Sequence, residues 1–205
     1  MIRFFRLPLV FRLLYPKSVF RLGKTSGREV CLTFDDGPFP GTTPEILRIL
    51  GSHGIKATFF CTGQNIEKYP GLFTDIVDDG HQIGNHGYNH IKGRETGIKA
   101  YIENAEKGAN LTGTHLFRPP YGSITRRQYK LLMSKYQIIF WDLILYDFDK
   151  SFREGGPLNI LRKKVRPGSV IVLHENAHSC AAEILDEAIN WLKSSDYGFA
   201  KFPAT

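Results

Sequence analysis

An α/β protein built on a parallel sheet is the fold this sequence predicts, and three observations predict it. Continuous apolar runs without polar alternation recur at residues 30–34, 57–61, 137–141 and 169–173, as expected of strands covered on both faces. Helical patterns lie between them, and strand–helix alternation implies parallel strands joined by right-handed crossovers. The 205 residues, 42% of them hydrophobic, suit a single core. About seven βα units are expected. Pattern alone leaves an open doubly wound sheet and a closed barrel as alternatives, and both gather functional groups where strands end and loops begin.

Residues 1–28 read as a basic, apolar arm ahead of a domain over 29–205. The arm carries Arg3, Arg6, Arg12, Lys17, Arg21, Lys24 and Arg28 and no acid, interleaved with Phe4, Phe5, Leu7, Leu9, Val10, Phe11, Leu13 and Leu14. Arg6, Pro8 and Arg12 interrupt the apolar stretch a secretory signal needs. The arm is expected to pack on the domain, with peripheral contact to anionic lipid through residues 1–22 as the other reading. Of 27 basic and 20 acidic residues, the arm holds seven basic ones, so the body is formally neutral and no nucleic-acid partner is expected. Cys31, Cys61 and Cys180 are too few for a disulfide scaffold and read as buried thiols. With no clear signal peptide they favour the cytoplasm, although the cell envelope stays open as a location.

Along the body, Thr43 reads as a helix N-cap and Pro44 as the first helical residue, opening a helix through Leu50. Helices are also expected at 71–79, 125–135 and 157–165. Ile98, Tyr101, Ile102, Ala105 and Ala109 form one helical stripe; Ala181, Ile184, Leu185, Ala188, Ile189, Trp191 and Leu192 form another, and both read as core faces. Weaker strands fit 81–84, 116–118 and 198–202.

Polar residues break this pattern at five strand ends. Asp35 and Asp36, followed by Gly37 and Pro38, put two carboxylates together, and their repulsion calls for a cation, a proton or water. His86 and His90 stand at i and i+4, where one helical turn would aim both imidazoles at one ion. Arg118 precedes Pro119, Pro120, Tyr121 and Gly122, a rigid turn beside a fork able to hold a carboxylate. Acids and aromatics including Asp147 and Phe148 follow the run at 137–141, and His174 ends the run at 169–173, where it is either a satisfied core residue or an acid–base group. Each alone also fits a turn or a surface. In a parallel fold all five converge on one face, and one carboxylate with two imidazoles leaves open positions, as a catalytic metal site requires.

The ordered set Thr33-Phe34-Asp35-Asp36-Gly37, Asn85-His86 to His90, Arg118-Pro119-Pro120-Tyr121-Gly122, Asp147-Phe148 and Leu173-His174 resembles the NodB-homology polysaccharide deacetylases (carbohydrate esterase family four) over residues 29–203. The resemblance implies a distorted (β/α)7 barrel. It also implies a divalent metal, zinc first and cobalt, manganese or nickel as alternatives. The implied reaction is removal of acetyl groups from N- or O-acetylated sugars of a poly- or oligosaccharide. Carried over, Asp36, His86 and His90 would hold the metal, and Asp35 would be the general base, paired with Arg118. His174 would be the general acid, oriented by Asp147. Tyr121 would offer its backbone N–H to the oxyanion, and Pro120, Phe148 and Leu173 would shape the substrate pocket.

Four positions depart from the family pattern. Gly87 stands where Ser or Thr is usual and is expected to weaken the metal loop by loss of a hydroxyl. Phe148 replaces a tryptophan, Ile144 stands where an acid is frequent, and Glu175 stands where aspartate is common. A non-catalytic carbohydrate-binding protein on the same scaffold is the alternative function. A phosphoesterase would require a second metal and more carboxylates than the motifs supply.

Overall fold

The structure is a computed structural model describing residues 4–23, 27–152 and 155–203. Its centre is a curled sheet of parallel strands: β1 (Glu29–Asp35), β2 (Thr58–Cys61), β3 (Gln82–Asn85), β4 (Leu116–Phe117), β5 (Gln137–Ile138), β6 (Leu143–Ile144) and β7 (Val170–His174). They run in the order β5-β4-β3-β2-β1-β7-β6, and β8 (Gly198–Phe199) pairs with Glu29 and Val30 at the foot of β1. Helices α2 (Thr43–His53), α3 (Gly63–Lys68), α4 (Pro70–Asp78), α5 (Ile98–Thr112), α6 (Arg126–Leu132), α7 (Gly156–Lys164) and α8 (Ala181–Ser194) follow the strands. The result is a curled sheet of the distorted (β/α)7-barrel type rather than an open doubly wound one. Among the described residues no helix is long and apolar enough to cross a membrane.

Strand alternation divides the core into layers. On β1 and β7 the odd-numbered Cys31, Thr33 and Asp35 lie in register with the even-numbered Val170, Val172 and His174. Cys31 and Val170 join Phe60, Leu116, Ile139 and Phe202 in a cluster at the barrel foot. The intervening Val30, Leu32, Phe34, Ile171 and Leu173 face the other way, into the layer shared with α2, α7 and α8. This parity brings Asp35 and His174 side by side at the barrel mouth. All three thiols are buried and free.

The barrel is distorted because β5 and β6 do not pair among the described residues, and the arm fills the seam between them. Val19 bridges Ile139: its N–H donates to Ile138 O (2.9 Å) and its carbonyl accepts from Phe140 N (2.8 Å). On the other side, Phe5 O accepts from Ile144 N (3.0 Å), Leu22 N donates to Gly168 O (2.9 Å), and Arg21 bridges Ser169. Between these ends α1 (Leu9–Leu14) turns Phe11 and Leu14 onto a cluster containing Tyr15, Phe20, Tyr129 and Phe140. Tyr15 donates its hydroxyl to Ile124 O (2.7 Å). The arm therefore replaces ladder hydrogen bonds that two strand edges would otherwise leave open.

Several boundaries differ from expectation. The expected strand at 137–141 shrinks to Gln137–Ile138, and β6 was not anticipated, because a two-residue strand has no periodicity to read. Arg118 lies just beyond β4 rather than within it. Thr43 is not the cap but the first residue of α2; Thr42 stands at the N-cap position without a side-chain capping hydrogen bond, and the Thr43 hydroxyl accepts from Phe39 N. On α6 a full capping box between Thr125 and Gln128 sets the start.

Candidate active site

A cleft of about 480 Å³ opens at the carboxyl ends of the strands. Asp35, Asp36, His86, His90, Tyr121, Phe148 and His174 line it, together with Trp141, Ile144, Tyr146, Val172, Asn176 and His178. Two residues expected in its wall are not there. Leu173 points into the outer core, because the strand's two-residue period puts Val172 and His174 on the inner face. Pro120 is buried near Gly87, and Pro119 faces the cleft.

The paired carboxylates are handled separately. Asp35 is buried, and its Oδ1 accepts from Arg118 Nη1 at 2.5 Å. Arg118 is fully buried, its Nη1 also donates to Thr33 Oγ1 (2.8 Å), and its guanidinium lies 4.0 Å over the Phe60 ring. Far from being a surface arginine, it crosses the barrel interior beneath the cleft. Asp35 Oδ2 also lies 3.9 Å from His86 Nε2, while Asp36 has a left-handed backbone (φ 79°). Asp36 Oδ2 accepts from Asn176 Nδ2 (2.9 Å), and its Oδ1 lies 3.1 Å from His90 Nε2 and 3.6 Å from His86 Nε2. Burial alone would raise the Asp36 carboxyl, but contact with His90 and the positive charge of His174 and His90 hold it well below the usual carboxylate range.

His86 and His90 converge, but not on a helical turn as the spacing suggested. Residues 86–90 form a loop in which Gly87 (φ 76°) and His90 (φ 50°) are both left-handed, and the rings lie 4.9 Å apart. The loop is fixed without the hydroxyl thought missing at Gly87. Asn85 Oδ1 accepts from Gly87 N (2.8 Å), Asn104 Oδ1 accepts from Tyr88 N (3.0 Å), and Gly63 N donates to Gly87 O (2.9 Å). A Cβ at residue 87 would come 2.8 Å from Asn104 Oδ1, so this arrangement requires glycine.

The donor set fits a metal ion. One oxygen of Asp36 and one nitrogen each of His86 and His90 lie within 4.8 Å of one another, and Asp36 Oδ1 is buried with no hydrogen bond. His86 Nδ1 lies 2.9 Å from Arg118 O, a pure acceptor, so Nδ1 carries the proton and Nε2 presents a lone pair. Burial, only partly opposed by Asp35, pushes the His86 imidazole down to about 4, which keeps it neutral and able to ligate.

Opposite the triad, His174 Nδ1 donates to Asp147 Oδ1 (2.9 Å), while Asp147 Oδ2 accepts from His174 N (2.8 Å) and Ser179 Oγ (2.7 Å). Burial would lower the His174 imidazole, but the Asp147 charge and hydrogen bond override it and raise it to about 9. Phe148 meets the His174 ring edge-on at 4.6 Å. Tyr121 (φ 58°) is exposed, with its ring 4.5 Å from that of His90, and a Cβ at Gly122 behind it would strike Trp141 at 2.7 Å.

Sequence reasoning missed Asn176, His178 and the burial of Glu175. Glu175 is fully buried, accepts from the Thr43 hydroxyl, and is raised by burial to about 8, so it pins the start of α2 as a neutral acid. Nothing local marks a glutamate as buried. For Asn176, its position two residues beyond His174 was the available signal.

The barrel that carries this carboxylate–bis-imidazole cluster at its mouth is shared with a known family. The family model described as polysaccharide deacetylase matches residues 22–137. A peptidoglycan-N-acetylglucosamine deacetylase of Bacillus cereus is 34% identical over 192 residues, covering 89% of this chain and 70% of its own. A solved peptidoglycan N-acetylglucosamine deacetylase, in complex with an N-oxidanyl-benzamide, superposes with a TM-score of 0.83 at 33% identity, covering 95% of this chain and 94% of that one. A pseudoenzyme of carbohydrate esterase family four from Bacillus anthracis superposes at 0.79 with 26% identity, covering 90% of this chain and 66% of its own. The chain belongs to the polysaccharide deacetylase family.

Proposed function

We propose that this cleft hydrolyses the acetamido group of N-acetylated sugars in a glycan of the peptidoglycan or chitin type. One observation carries the reading: base, acid and triad are all present, and base and acid each have a dedicated buried partner. A sugar-binding relic needs neither Arg118 on Asp35 nor Asp147 on His174. An amide is a weak electrophile with a poor leaving group, so its hydrolysis needs an activated water, charge stabilisation and a proton donor.

Asp36, His86 and His90 would hold a divalent cation, zinc by the chemistry of one carboxylate and two imidazoles. When bound, such an ion would supply a water acidified from about 15.7 toward about 7 and would polarise the acetyl carbonyl. Asp35, oriented by Arg118, takes the water's proton as it attacks the carbonyl carbon. The backbone N–H of Tyr121, a residue lining the cleft, would stabilise the developing oxyanion. His174, kept protonated by Asp147, delivers its proton to the departing amine nitrogen. Phe148, Val172 and Ile144 give the cleft apolar wall for the acetyl methyl.

The test is acetate release from N-acetylglucosamine oligomers and peptidoglycan fragments in the presence of Zn²⁺ or Co²⁺, comparing the intact protein with Asp35→Asn. Metal-dependent release that falls by about 10²–10⁴-fold in the variant is the expected result. Equal background release from both, across that range of glycans, would instead place the chain with the pseudoenzymes.

A further inference from the structure

A second cavity, of about 390 Å³, lies against the arm, with Trp141 the one residue shared with the cleft. Its polar wall is Arg6, Arg12, Arg166 and Asp142. Asp142 is buried and already engaged. Arg166 Nε donates to its Oδ2 (3.1 Å), Ser169 Oγ donates to the same oxygen (2.7 Å), and Arg6 Nε stands 3.6 Å away. Arg12 lies over the Phe20 ring and has no carboxylate partner among the described residues. Three guanidinium groups thus line a cavity with one carboxylate, which Arg166 holds and Arg6 approaches, and the excess positive charge calls for an anion.

A separate observation says what carries that anion. Eight large hydrophobic residues are exposed among the described residues, and four of them, Phe4, Leu9, Val10 and Leu13, fall within ten residues of the arm. Phe11 and Leu14 use one side of α1 for packing, which leaves Leu9 and Leu13, each 77% exposed, one turn apart on the other. Leu9 also lines the cavity, so the cationic cavity opens at the apolar face. A soluble anion has no use for the leucines, and an apolar partner has none for the arginines. A bilayer with anionic headgroups uses both.

We propose that the arm is a docking surface for an anionic lipid bilayer, with Leu9, Val10 and Leu13 entering the headgroup–acyl boundary and a lipid phosphate seated among Arg6, Arg12 and Arg166. The surface is separate from the hydrolytic reading and stands or falls without it.

Sedimentation of the full chain with vesicles tests this directly. Wild type is expected to pellet with phosphatidylglycerol–phosphatidylcholine vesicles, to stay in solution with phosphatidylcholine alone, and to detach in high salt. Leu9→Glu/Leu13→Glu replaces solvent-facing side chains, so the fold is retained, and it weakens partitioning at least about tenfold. Arg12→Ala, an independent probe, weakens it about fivefold. Lys56→Glu/Lys68→Glu, which alters exposed charge away from the arm, leaves it unchanged. The proposal fails if wild type ignores anionic vesicles, or if it binds them equally well with the leucines replaced. It fails equally if the body variant loses as much as Arg12→Ala, or if millimolar inorganic phosphate alone strips the protein from vesicles at constant ionic strength, which would assign the cavity to a free anion. Self-association through α1 without vesicle binding also overturns it.

Discussion

At the scale of single residues, the imidazole of His174 concentrates the chemistry that can be measured. Asp147 holds it protonated up to about pH 9 against the cost of burial. The raised affinity for a proton stabilises the folded state fully below the ordinary imidazole value near 6.5, and that contribution is lost as pH climbs through about 9. If the same group is the acid of the proposed reaction, it is expected to set the alkaline limb of the rate profile. Asp147→Asn removes the opposing charge and lets burial dominate, so the limb is expected to move from near pH 9 to below about 7. A kcat/KM profile superimposable on wild type above pH 7 would exclude His174 as the proton donor.

Among the elements, the 85–90 loop shows how little of a ligand's geometry its spacing conveys. Two histidines four apart suggest a helical turn. The chain instead reaches the same convergence through two left-handed residues, with Asn85 and Asn104 satisfying the backbone that a helix would have satisfied itself. Asn104 is therefore a positioning residue for the loop. Asn104→Ala is expected to lower zinc affinity about 10–100-fold with little change in melting temperature. Unaltered affinity in a competition titration with a chromogenic chelator would remove Asn104 from that role. Longer strands were legible in the sequence: β1 and β7 lie within a residue of the runs that announced them, because six and four consecutive buried residues leave an unmistakable apolar record. Two-residue β6 left none. Which of two neighbours faces the cleft was not legible either, since a run buried on both faces carries no parity, and so Leu173 was chosen where Val172 lines the wall. The clustering of Asp35, Asp36, His86, His90, Arg118, Asp147 and His174 was legible because polar residues at strand ends must have a reason to interrupt a core. Glu175 gave no such sign, being polar in a loop where polarity is ordinary.

For the molecule as a whole, the packed side of the arm is part of the barrel. It supplies hydrogen bonds to both strands bordering the seam and covers Phe140 and Tyr129 with Tyr15 and Phe20. Removing residues 1–22 exposes two strand edges and an aromatic cluster at once. The shortened chain is expected to melt at least about 5 °C lower and to aggregate on heating, a loss that scanning calorimetry and light scattering would register. Unchanged melting would mean that the seam closes without the arm.

Arg118 has one further implication. It is fully enclosed, spanning Thr33, Asp35 and Phe60 beneath the floor of the cleft. A descendant that silenced the enzyme by changing Asp35 alone would strand a guanidinium in the dark with its counter-ion gone, at a penalty of about 3–5 kcal/mol. Loss of that carboxylate and loss of this arginine are thereby physically tied, so a change at Asp35 reaches the interior of the barrel as well as its mouth.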